Sequence, residues 1–239
     1  MDWIRLGQIR AMVVGPSSSG KTTLVAELIL NSSLIFSITF DKIVISYEIL
    51  DPTWERLAQI LPNVTLIQYL PLDFLAALEA RGRASEKTLV VLDDQLINIS
   101  KNPEPINKLF TMGSSKLGVS VMLLTQNMYF PQFRTISLQV NLYILMRTIR
   151  AEDQIKRLAG SMGAEEKKHI MQSYRAAMKL KPYNHFVIDL GQDTPEYLRY
   201  YTGLTVGDPR IYFVPDKEPV PNVRQPKPIP VFRAAPSNA

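Results

Sequence analysis

The run Gly15-Pro16-Ser17-Ser18-Ser19-Gly20-Lys21-Thr22-Thr23 fits the spacing G-x-x-x-x-G-K-[ST]. Small residues let such a backbone curl with its N–H groups inward, and a following helix adds its positive end, so the run suits a bound phosphate. In this P-loop pattern Lys21 reaches the β- and γ-phosphates of a bound nucleotide and the Thr22 hydroxyl takes a place on Mg2+. A second group of polar residues closes the apolar run TLVVLD, where Asp93 is followed by Asp94. The first acid at such a strand end holds the metal ion. The second can orient and deprotonate an attacking water. Related hydrolases commonly carry Glu there, and Asp94 is shorter by one methylene. Paired carboxylates also serve as helix caps, but a P-loop upstream favours the metal reading. A third group follows VSVMLL, where Gln126 sits just past a strand end. Its amide donates and accepts at once, which suits a sensor between water and γ-phosphate. Hydrolysis also needs positive charge on the transferred group. Arg134, Arg147 and Arg150 are the candidates for an arginine supplied by a neighbouring subunit. Spacing does not rank them, and each also reads as a surface ion-pair partner.

The elements that must position these groups alternate short apolar runs with amphipathic stretches. Strands are predicted at 9–14, 42–47, 64–68, 88–93, 119–124, 141–146 and 184–189. Helices are predicted at 21–31, 53–60, 71–81, 103–112, 151–161 and 164–176. The strands are rich in Val, Ile and Leu with little alternation, as in strands covered on both faces. The expected fold is α/β, a mostly parallel twisted sheet flanked by helices, with the nucleotide at the carboxyl edge. One P-loop domain is expected over residues 1–214. Seven prolines fall within the last 25 residues, from Pro215 to Ala239, so 215–239 reads as an extended tail. Such a tail is either solvated or docks on another protein.

Composition narrows the classes. The chain has 239 residues, 46% of them hydrophobic and 21% charged, as in ordinary globular domains rather than disordered chains. Cysteine is absent, which removes disulfides, thiolate zinc sites and Cys nucleophiles. With only His169 and His185, a histidine-based metal centre is not expected. The formal charge of +5 permits nucleic-acid contact without requiring it. No apolar run approaches the roughly 18 residues of a membrane span. MDWIRLGQIR lacks a signal-peptide core. An intracellular protein with no membrane partner is the expectation.

In order, the P-loop, LVVLDDQL, LFTMGSSKLGVSVMLLTQNMYF and FRTISLQVNLYILMRTIRAEDQIKRLA resemble the genome-packaging ATPases of adenovirus-like elements. These include the enzymes of Polinton/Maverick transposons and virophages. They are a branch of the FtsK/HerA-type DNA-pumping ATPases, related to poxvirus packaging enzymes. The resemblance covers about residues 9–165. It implies that Gly20, Lys21 and Thr22 cradle ATP and Mg2+, Asp93 holds the metal, Asp94 acts on water and Gln126 senses the γ-phosphate. Arg134 falls in an RxISLN-like run, here RTISLQV. Arg150 falls in a KNPRD-like run, here RTIRAED, with Ile149 and Ala151 departing from the pattern. GSSK stands where relatives often have Gly-Ser-His-His. The resemblance further implies a homo-oligomeric ring that moves double-stranded DNA into a preformed capsid. The expected partners are therefore DNA, bound without sequence preference, and capsid proteins, in the host cell at the site of virion assembly. Lys101, Lys108, Lys116 and Arg134 are candidate DNA contacts, expected in or beside loops flanking the motor strands.

Other classes share the P-loop. A small nucleoside kinase has the right size, but it usually needs an Arg-rich lid, and TQN has no place in it. A GTPase needs N-K-x-D, whereas Asn107-Lys108 is followed by Leu109 and Phe110. A nucleotide-binding capsid assembly factor need not keep Lys21, Thr22 and Asp93 together.

Overall fold

Runs of Val, Leu, Ile and Met with no polar face set the centre of the sheet. The computed structural model describes residues 6–71, 73–80, 86–148 and 150–215. In chain order the elements begin with β1 (Arg10–Val14), α1 (Lys21–Leu30), α2 (Ser32–Ile35), β2 (Lys42–Tyr47), α3 (Pro52–Ile60) and β3 (Val64–Ile67). Next come α4 (Phe74–Ala80), β4 (Thr88–Asp93), α5 (Leu96–Lys101), α6 (Glu104–Lys108), α7 (Ser114–Leu117) and β5 (Ser120–Thr125). Then follow α8 (Arg134–Gln139), β6 (Leu142–Met146), α9 (Glu152–Ser161), α10 (Ala164–Leu180), β7 (His185–Asp189), β8 (Tyr200–Thr202) and β9 (Ile211–Tyr212).

The strands form one sheet in the order β3-β2-β4-β5-β1-β6-β7-β8-β9. β3 through β6 run parallel, as the apolar runs predict. β7, β8 and β9 are added antiparallel. Along β4 every residue is buried, and the same holds for β5. Successive side chains of a strand point to opposite faces. Val90 and Leu92 therefore join one core with Phe110, Ile155, Ile170 and Tyr174. Leu89 and Val91 join the other with Val25, Ile29, Trp54 and Leu57.

β1 feeds α1 onto the second of these faces, while β5 feeds α8 onto the first. Adjacent strands whose connections leave to opposite faces open a crevice at their carboxyl ends. The P-loop, Asp94 and Gln126 all follow strands that end at this edge.

The structure departs from the sequence expectation in places. The helix predicted at 103–112 is α6, a π-helical turn over Leu109–Gly113, and α7. β8, β9, α5 and α8 were not expected; they are short and lack a long periodic run. Lys101 closes α5 and Lys116 lies in the last turn of α7, each beside a loop, whereas Lys108 lies within the helical run from α6 to α7 and pairs with Glu104 one turn earlier. Beyond Pro215 the Pro-rich tail lies outside the described residues.

His185 opens β7 and is 2% exposed. Its Nε2 accepts the Leu204 N–H at 3.0 Å. Burial is the main cause holding its pKa down to about 4 from 6.5, helped by Lys181 and opposed by Asp208. Between those values the unfolded chain binds the extra proton, so this residue's stabilisation is lost as pH falls from about 6.5 towards 4. We expect the urea-unfolding free energy to drop by about 2 kcal/mol more between about pH 7 and pH 5 in the wild type than in His185→Gln, which retains an acceptor. Equal drops would place the proton uptake elsewhere.

Candidate functional site

The loop from Gly15 to Gly20 needs glycine for a steric reason at its start and a conformational one at its end. A Cβ on Gly15 would stand 2.6 Å from Met146 Cβ and 2.7 Å from Ser19 Oγ. Gly20 caps α1 at φ 89, in the left-handed region that favours glycine. Ser18 also sits at positive φ, at 59°. No side chain caps α1, and its first turn carries no acid. The first N–H groups of the helix are thus left for an anion.

Lys21 is buried, and its Nζ donates to the carbonyls of Gly15 at 2.9 Å and Pro16 at 3.0 Å. Its ammonium bridges the start of the loop. Burial pulls its pKa below the ordinary lysine value, against the opposing effect of Asp94 and Asp93.

Asp93 closes β4 and Thr22 opens α1. The Thr22 hydroxyl donates to Asp93 Oδ2 across 3.5 Å. The same oxygen accepts Trp54 Nε1 at 2.7 Å. Asp51, the N-cap of α3, accepts the Thr53 N–H, and Pro52 starts the helix, which fixes Trp54 in place. Burial is the largest influence raising the Asp93 pKa; Trp54 and Lys21 pull it back, while Asp94 and Asp51 push it further up.

Asp94 takes φ 52, a conformation that non-glycine residues adopt at some cost. Its Oδ2 accepts from Gln126 Nε2 at 3.3 Å. Its Oδ1 is buried and has no partner among the described residues, and the same is true of Ser19 Oγ. Gln126 is presented by a short turn in which the Asn127 N–H donates to Thr125 Oγ1 at 3.2 Å. The Gly15 N–H donates to the Thr125 carbonyl at 3.1 Å, which ties that turn to the loop.

A cavity of about 360 Å³ joins Lys21, Thr22, Asp93 and Asp94, with Ser17 and Glu48 also in its lining, while Gln126 and Gly15 line a separate cavity of about 140 Å³. Among the described residues, no group of three or more His, Asp or Glu forms a ready-made metal cage. A hydroxyl and a carboxylate beside an anion site is instead the donor set of Mg2+, which takes one or two protein ligands and completes its shell with phosphate oxygens and water. The orphaned Oδ1 of Asp94 beside it is an acceptor facing no protein donor. The residues fit a magnesium nucleotide.

The arginines separate. Arg147 and Arg150 line a cavity of about 580 Å³ with Pro16, Ser17, Ser18 and Ser19. Tyr174 holds that segment from α10, donating to the Met146 carbonyl at 3.1 Å and accepting the Thr148 N–H at 2.9 Å. Arg134 is exposed at the start of α8 and lines none of the four cavities that border the loop. Sequence reasoning missed Glu48 and Trp54. Glu48 had a signal, since it follows an apolar strand directly; Trp54 had none.

No protein-family profile and no curated protein sequence matches the chain. Solved structures match it in fold. The genome packaging NTPase B204 from Sulfolobus turreted icosahedral virus 2, in complex with ATP-gammaS, superposes with a TM-score of 0.51 at 17% identity, over 78% of this chain and 94% of that one. Its complex with AMP gives 0.52 at 17% identity, over 79% and 95%. The fold is that of the P-loop NTPases. The cytoplasmic domain of the Type VII secretion ATPase EccC from Thermomonospora curvata gives 0.50 at 15% identity, over 89% of this chain and 26% of that one. The present chain thus spans about a quarter of the EccC length. At such identities the likeness extends to the fold and not to activity.

Trp54→Phe removes a buried donor from Asp93. It is expected to cost about 1–3 kcal/mol in urea unfolding near pH 7. With Asp93→Asn the cycle should show coupling between the two residues. Additive effects would mean that the bond contributes nothing.

Proposed function

We propose that this chain is an ATP hydrolase that drives double-stranded DNA into a preformed capsid, a packaging motor of the FtsK/HerA class in the adenovirus-like, Polinton–virophage branch. The observation that carries the reading is the meeting of Lys21, the Thr22–Asp93 pair and Asp94 around one cavity at a common strand edge, with Gln126 hydrogen-bonded to Asp94 beside it. The match in fold to viral packaging NTPases supports it.

In this reading the N–H groups from Gly15 to Thr23 hold the phosphates of ATP, and Lys21 neutralises the β- and γ-phosphates. Thr22 and Asp93 hold Mg2+, which when bound offsets charge on the phosphate oxygens. Asp94 orients the attacking water, kept in place by the Gln126 amide on its other oxygen. As the water oxygen bonds to the γ-phosphorus, its proton passes to Asp94 and the bond from phosphorus to the ADP oxygen breaks. Gln126 reports the loss of the γ-phosphate through the turn tied to Gly15. ATP lies between subunits of a ring, and an arginine of the neighbouring copy completes the site. Arg134, exposed and away from its own loop, suits that trans role better than Arg150, which lies beside the loop in cis.

The DNA grip is on the backbone, so it should be tolerant of sequence and weakened by salt. Packaging takes place inside the host cell where virions assemble. No described helix is long and apolar enough to cross a membrane.

Steady-state ATP hydrolysis across a protein concentration series, with and without double-stranded DNA, tests this. DNA should stimulate turnover, and turnover per chain should rise with concentration as rings form. Lys21→Ala should abolish both. Asp94→Asn should lower kcat by about 10²-fold or more while ATP binding persists. Turnover that ignores DNA and is strictly linear in protein would remove the motor reading.

A further inference from the structure

Three limbs of the site stand side by side, because β5, β1 and β6 are neighbours in that order. The Gln126 turn follows β5, the loop from Gly15 follows β1, and the segment from Arg147 to Arg150 follows β6. Arg147 and Arg150 border the loop in a cavity that Pro182 and Tyr183 also line. The outer two limbs share no strand pairing, since β1 lies between β5 and β6. What sets one against the other must therefore be a side chain. The cavity of about 140 Å³ between them is lined by Gly15, Gln126, Met128, Thr148 and Gln154 among others.

Gln154 crosses that gap. It lies in the first turn of α9, and its Oε1 accepts the N–H of Met128 at 3.0 Å. Met128 is buried, so its N–H would be costly to leave without an acceptor. Three residues further along α9, Arg157 stands over the Tyr129 ring, 5.9 Å from its centroid. Residues three apart share one face of a helix, so α9 meets the turn twice. The turn is one compact unit, because Asn127 also accepts the Tyr129 N–H at 2.9 Å. α9 is fixed in its turn to α10: Ile155 and Leu158 share a core with Ile170 and Tyr174, and Arg175 pairs with Glu152 at 2.8 Å. Tyr174 holds the other limb at Met146 and Thr148, and Thr148 Oγ1 accepts the Ala151 N–H at 3.1 Å. One helical pair thus grips the Gln126 turn through Gln154 and the arginine segment through Tyr174.

We infer that Gln154 is a positioning residue for ATP hydrolysis: its bond to Met128 sets the Gln126 turn, and through Gln126 the Asp94 carboxylate, against the arginine segment on the far side of the phosphate loop. The inference rests on the hydrolase reading above. Gln126 reaches Asp94 across 3.3 Å, long for a hydrogen bond, so a small displacement of the turn breaks it. The Met128 N–H asks Gln154 only for an acceptor. Glutamate supplies one at the same length, whereas methionine keeps the length and offers only a weak acceptor.

Steady-state kinetics of the full chain with Mg-ATP, at equal protein concentrations, test this. Gln154→Met should lower kcat by about ten- to a hundredfold and leave KM within about twofold. Gln154→Glu should restore most of the lost kcat. Gln126→Ala combined with Gln154→Met should be little slower than Gln126→Ala alone, because both act through one turn. Wild-type kcat in Gln154→Met overturns the inference, as does a Gln154→Glu no faster than Gln154→Met. Losses that multiply in the double variant overturn it too. Should Gln154→Met not fold, amide hydrogen exchange on the wild type decides. Between ADP and a slowly hydrolysed ATP analogue, protection should change together at residues 126–128 and in the first turns of α9. A change confined to 126–128 overturns the link. A wild type that hydrolyses no ATP removes the hydrolase reading and this inference with it, whereas an active wild type matched by Gln154→Met removes this inference alone.

Discussion

The alignment of parallel strand ends is the constraint on which the site depends. Val14 pairs with Thr125 on one side and Leu145 on the other, and Asp93 pairs with Leu124. Four strands therefore end at nearly one level. Gly15, Asp94, Gln126 and Arg147 each follow within a residue or two of that level. A shift of one residue in any pairing would turn alternate side chains to the wrong face. Both faces are buried, so such a slip would place every core residue of the strand in the wrong layer. The core thereby holds the geometry of polar groups that it does not touch.

Within that frame the charges are arranged under tension. One lysine and two aspartates share a small space, and burial works against the charged form of both Lys21 and Asp93. The protein offsets this with backbone carbonyls on the ammonium and an indole N–H on the carboxylate. Neither partner neutralises charge outright. A site held this way gains when a ligand brings phosphate to the lysine and a cation to the carboxylate, because both poorly solvated charges then find counter-charge. The turn at Asp94 adds backbone strain at the same place.

Much of this was legible in the sequence. The predicted strands that became β1 to β7 agree with the structure to within one residue at each end, because buried apolar runs bounded by polar residues leave little freedom. The loop from Gly15 to Thr23 was legible because its chemistry is local. Asp93, Asp94 and Gln126 were legible because each sits at the end of such a run. What escaped depends on which strand lies beside which. Glu48 reaches the cavity because β2 pairs with β4, and Tyr183 reaches the loop because β7 pairs with β6. The antiparallel hand of β7 leaves no trace in its apolar content. β8 and β9 have three and two residues, too few to show a period. RTISLQ, with two β-branched residues and one turn and a half of helix, is held as α8 by Ile136 in the core rather than by propensity.

The sheet is blunt at both margins. β3 has four residues, none fully buried, and β9 has two. Margins this short are poor templates for strand addition by another chain. Among the described residues, contacts between copies in the proposed ring would then fall to helical surfaces and to the rim of strand ends, where Ile49 stands 85% exposed beside the cavity of Lys21 and Asp93. In the proposed ring, a copy docked on that rim would feel directly whether the cavity is filled, so assembly and occupancy would be one equilibrium rather than two.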